Sequence, residues 1–149
     1  MIRKNLKLRA TSFEDLKVIS AHLQDGITQV GNIVHLKKNK IFLIEFNRFM
    51  WEDVERGVFR KNRRVQSIFK LENIISVSSK NLNQKKKDRF LEFLVIETNN
   101  LSDKSYEIIL HFAGNILIKI NVEAIDCLLD DQGESWETKS KPKHTLLND

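Results

Sequence analysis

The sequence is poor in cysteine, proline and glycine. A single cysteine among 149 residues excludes a disulfide framework and any multi-cysteine zinc site. One proline and five glycines exclude collagen-like and linker-like chains. Long hydrophobic runs are missing too. Apolar clusters such as Ile41-Phe42-Leu43-Ile44 and Ile116-Leu117-Ile118 fall far short of the ~20 residues of a membrane helix. The start, Met1 to Lys7, carries charge with no apolar stretch behind it, so no signal peptide and no membrane partner are expected. A cytoplasmic location follows as the expectation, and the lone thiol of Cys127 agrees with a reducing compartment.

What remains is a chain that is 41% hydrophobic and 30% charged, which excludes wholesale disorder. One domain is expected at this length, over residues 1–135, with a C-terminal tail at 136–149. The formal charge of +5 is unevenly placed. Residues 1–90 carry 20 Lys/Arg against 9 Asp/Glu, a net of +11, and residues 91–149 carry 5 against 11, a net of −6. Such asymmetry marks either a polyanion footprint or lysine scattered over solvated surface, and the two halves also have the means to pair with each other.

Hydrophobic periodicity gives the elements. Leu6 and Leu8 alternate with Lys7 and Arg9, a short strand. Thr11 and Glu14 fit a capping box, opening a helix to about Asp25. Its stripe is Phe13, Leu16, Ile19 and Leu23, and Gly26 stands where a left-handed stop belongs. Residues 27–36 and 41–49 read as strands around the turn Lys37-Lys38-Asn39-Lys40. The charged stretch 52–64 is expected to be an exposed loop or a strand extension. Strands follow at about 65–70, 74–79 and 90–98. Tyr106–Phe112 and Ile116–Ile120 form a hairpin around Ala113-Gly114-Asn115. Asn121 then caps a closing helix over about 122–131, striped by Val122, Ile125, Leu128 and Leu129, with Cys127 among them. The expected fold class is α+β: a bent antiparallel sheet of about seven strands between an N-terminal and a C-terminal helix. That element order resembles pleckstrin-homology-like barrels.

Candidate sites are few. His22 and Asp25 are three residues apart at a helix end, a spacing that suits an oriented imidazole or a plain surface pair. At the end of a strand, alternation puts Arg48 and Glu52 on one side and Phe49 and Trp51 on the other. Such an arginine clamps an anion or braces a loop. The basic residues Arg56, Arg60, Lys61, Arg63 and Arg64, with Lys85, Lys86 and Lys87, are candidates for binding RNA or another polyanion. No glycine-rich phosphate loop, His-Glu-x-x-His or Gly-x-Ser-x-Gly occurs, so no catalytic residue, metal ligand or cofactor is assigned.

Three motifs run through the chain: Ser20-Ala21-His22-Leu23-Gln24-Asp25, Asn47-Arg48-Phe49-Met50-Trp51-Glu52, and Trp136-Glu137-Thr138 with Pro142-Lys143-His144. In these the sequence resembles a small family of uncharacterised alphaproteobacterial proteins, classed as a domain of unknown function. The likeness covers nearly the whole chain. It implies no activity. It does direct attention to His22, Asp25, Arg48, Trp51, Glu52, Trp136 and His144, away from the lysine clusters. The expectation is a non-enzymatic binding or protein-interaction module, with a protein partner or self-association. Nucleic acid is the alternative partner.

Overall fold

The computed structural model describes residues 5–55 and 62–138. Strands dominate. Among the described residues there are ten: β1 Lys7–Ala10, β2 Ile27–Gln29, β3 Ile33–Leu36, β4 Ile41–Phe49, β5 Arg63–Leu71, β6 Ile74–Lys80, β7 Phe90–Ser102, β8 Ser105–Phe112, β9 Ile116–Val122 and β10 Cys127–Glu137. The helices are α1 Phe13–Leu23 and the short α2 Trp51–Glu55. All ten strands lie in one antiparallel sheet of order β1-β10-β5-β4-β2-β7-β8-β9-β6, with β3 attached to β4. The expected α+β fold of about seven strands and two flanking helices is therefore corrected. The sheet is open, its path ending at β1 and β6.

The largest correction lies at the C-terminal side. The helix expected over 122–131 is strand: Val122 ends β9, and β10 begins at Cys127. Ile125, Leu128 and Leu129 satisfy a helical stripe, but Cys127, Leu129 and Asp131 also alternate. Pairing on both flanks decides between the two, because β10 lies between β1 and β5. Every second residue from Cys127 to Asp131 is then buried.

α1 forms where expected and buries Leu16, Ile19 and Leu23. Its cap is shifted by one residue from the expected Thr11–Glu14 box. Ser12 Oγ accepts from Asp15 N at 3.1 Å, and Asp15 Oδ2 accepts from Thr11 N at 3.0 Å. The left-handed residue after the helix is Asp25 (φ 63°), not Gly26.

The expected strand 27–36 is broken by a 3-10 turn at Val30–Asn32. Loop 81–89 runs against that turn: Gly31 N donates to Lys87 O at 2.8 Å and Val30 N to Arg89 O at 3.0 Å. A Cβ on residue 31 would stand 3.1 Å from Lys87 O, so glycine permits the close approach. In consequence β7 pairs with β2 and not with β3, and among the described residues the outer edge of β3 stays open.

One hydrophobic cluster draws on α1, β4, β5, β7, β8, β9 and β10. Phe46, Phe93 and Phe112 meet at its centre, with ring centroids 5.7 to 6.5 Å apart. Phe46 lies on β4 and Phe112 on β8, which are not neighbours in the sheet, so the sheet curves around these rings. The hairpin β8–β9 forms as read from the sequence, with Gly114 (φ 85°) and Asn115 (φ 60°) at the turn.

Candidate functional site

Alternation along β4 buries Phe42, Ile44 and Phe46, and the next position on that face is Arg48. Its side chain is fully buried. A buried guanidinium must have its charge and its five N–H groups matched. Here they are. Nε donates to Asp131 Oδ1 at 2.9 Å and Nη2 to Asp131 Oδ2 at 2.8 Å. Nη1 donates to Glu52 Oε1 at 3.0 Å and Nη2 to Glu52 Oε2 at 2.7 Å. The remaining Nη1 proton meets Phe49 O at 3.3 Å. Two forks grip two carboxylates, the geometry that suits arginine and not lysine.

The carboxylates are matched in turn. Asp131 also accepts from Ser67 Oγ and, at 2.9 Å, from Leu6 N. Burial alone works against the charge on Arg48, but the bonds to Asp131 and Glu52 outweigh it and raise its pKa further. Burial alone likewise raises the Glu52 carboxyl. The Arg48 guanidinium outweighs it and holds that carboxyl far below the usual range. His22 Nδ1 stands 3.8 Å from Glu52 Oε1, beyond hydrogen-bond length. Trp51 Nε1 donates to Gln24 O at 2.8 Å, which satisfies a carbonyl at the end of α1.

The structure thus brings Arg48, Glu52, His22 and Trp51 into one cluster, and Phe49 packs edge-on against Trp51 at 4.7 Å. Asp25 is buried beyond the end of α1, where its backbone N donates to Phe93 O. Trp136 lies on β10 opposite Arg64 and is 39% exposed. His144 lies outside the described residues. Asp131 and Ser67 are the partners that sequence reasoning missed. Their signal was present, since each is a polar residue at an inward position of an otherwise apolar alternation.

The basic candidates are dispersed. Arg56, Arg60 and Lys61 lie outside the described residues. Arg63 donates to Ser135 Oγ and Ser135 O, at 2.7 and 2.8 Å. Arg64 donates to Asn47 O at 3.3 Å, and its guanidinium carbon lies 5.8 Å from the Phe49 ring centroid. Lys85, Lys86 and Lys87 are exposed on the loop between β6 and β7. The Cys127 thiol lies in the core, where burial pushes its pKa up to about 12. Among the described residues no group of three or more His, Cys, Asp or Glu side chains is placed to hold a metal ion.

Sequence motifs did not point to a second feature. A cleft of about 350 Å³ opens between β3 and β6. Its floor is apolar, with Val30, Ile33, Phe42, Val77, Leu82 and Ile118. His35, Lys37 and Lys87 are its basic groups, and among the described residues no carboxylate lines it. Burial, with Lys37 adding to it, lowers the pKa of His35. The two lysines therefore carry the cleft's positive charge.

No helix among the described residues is long and apolar enough to cross a membrane. One family model matches the chain over residues 6–144, and its description is Protein of unknown function (DUF2948). Neither the curated proteins nor the solved structures yield a match.

Proposed function

The chain belongs to the DUF2948 family of proteins of unknown function, and from that premise we propose that it is a non-enzymatic protein-interaction module working through the cleft between β3 and β6. One observation carries this reading. Among the described residues the cleft joins an apolar floor to two lysines without any carboxylate, a lining suited to holding a ligand. Among the residues described there, no acid–base pair stands ready for chemistry. The Arg48 cluster serves the fold instead: all five of its N–H groups are spent within the protein. RNA binding is not favoured, because Arg63 and Arg64 are engaged with Ser135, Asn47 and Phe49.

The test is capture from native lysate treated with nuclease, comparing the tagged chain with its Lys37→Glu, Lys87→Glu double variant. A partner held by the wild type and lost by the variant is expected. Equal capture by both, or capture that disappears with nuclease, contradicts the reading.

A further inference from the structure

β3 pairs with β4 alone and β6 with β9 alone, so among the described residues each strand keeps one open edge. The two edges are tied at one end, where Ile74 N donates to Lys40 O at 3.1 Å. Beyond that tie the cleft lies between them, with Ile33 and His35 of β3 on one side and Val77, Ser78 and Ser79 of β6 on the other. An open edge is a row of backbone donors and acceptors, and only another backbone pairs with it in register.

We propose that this cleft binds a partner by strand addition, and that the strand is an acidic, extended peptide segment with alternating apolar residues. The inference deepens the interaction reading above and rests on it. Alternation follows from the cleft's two sides. One face of an added strand meets the apolar floor at Ile33, Val77 and Ile118, and the other meets the rim. The sign follows from Lys37 and Lys87. Neither has a carboxylate partner among the described residues, and no Asp or Glu lines the cleft. The chain's own residues 139–149 carry Lys139, Lys141 and Lys143 against Asp149, the wrong sign for this rim.

The experiment is a titration of the full chain, followed by amide chemical shifts. The probe is a blocked peptide of alternating valine and glutamate, about seven residues long, enough to run the length of β6. Companion peptides replace glutamate by lysine, or carry N-methyl groups on one or the other alternate set of backbone nitrogens. The expected shifts are confined to residues 33–37 and 75–80. The lysine peptide, and the acidic peptide on the Lys37→Glu, Lys87→Glu variant, are each expected to bind about tenfold more weakly. Each of the two methylated peptides is expected to bind about tenfold more weakly, because alternate N–H groups of a strand seated between the two edges face β3 and β6 in turn. Methylated peptides that bind as tightly as the unmodified one overturn strand addition and leave the interaction reading standing. Equal binding by the lysine peptide overturns the acidic partner. Shifts outside the cleft, or none at all, overturn the proposal, and lysate capture unchanged by the lysine variants overturns the interaction reading as well.

Discussion

At the scale of single residues, Arg48 organises the buried polar groups of the core. A charge buried on the core face of a strand is costly unless paired, and its two carboxylates come from opposite ends of the sequence gap: Glu52 four residues on, Asp131 eighty-three away. The local partner was named from the sequence, but through a strand alternation along 47–52 that does not hold: β4 ends at Phe49, and Glu52 reaches Arg48 from α2, four residues on. The distant one was not. No local pattern says which of the later carboxylates folds inward, and Asp131 passed for the polar end of a helix. Glu52 gives the cluster a pH signature. Its folded pKa lies below the ordinary 4.5, so its contribution is present above that value and is lost as the pH falls. Chemical denaturation should therefore show stability level from neutral pH to about pH 5, then a decline below about pH 4 as carboxylates with lowered pKa values take up protons. Glu52→Gln should cost about 1–3 kcal/mol at neutral pH, the range of a lost hydrogen bond to a charged group, with a shallower acid decline. A variant as stable as the wild type at pH 7 contradicts the pairing.

At the scale of elements, strands with strict alternation were readable and those decided by distant pairing were not. β4 coincides with its expected bounds, and the β8–β9 hairpin was announced by Gly114-Asn115. The span 27–36 was expected as one strand because nothing apolar is missing from it. Its break at Val30–Asn32 is set by loop 81–89 bonding to Val30 and Gly31 from more than fifty residues away. That same break opens the β3 edge, so the cleft was hidden from any local reading. β10 carries a direct test. Flanked in the sheet by β1 and β5 and buried in the core, Cys127 should resist a thiol reagent at pH 8 in the native protein and react only as the chain unfolds, in step with denaturant. Prompt labelling of the native chain would put residue 127 on an exposed element and contradict the strand.

At the scale of the whole molecule, the uneven charge finds its explanation partly inside the fold. The basic first part meets the acidic second part at Arg48–Asp131 (2.8 Å), Arg9–Asp126 (3.2 Å) and Lys40–Glu123 (3.8 Å). The exposed pairs among these add little stability, yet they draw cations away from any continuous basic face. Lys37 and Lys87 are left over at the mouth of the open sheet, where β3 and β6 face each other without pairing. The central claim is that this gap, and not the Arg48 cluster, is where a partner binds. Hydrogen–deuterium exchange of the full chain, alone and with the protein recovered from nuclease-treated lysate, tests it most directly. The account predicts new protection at residues 33–37 and 75–80, where open edges become paired. Protection that leaves those segments unchanged and falls instead on residues 22–25 and 48–52 would contradict it.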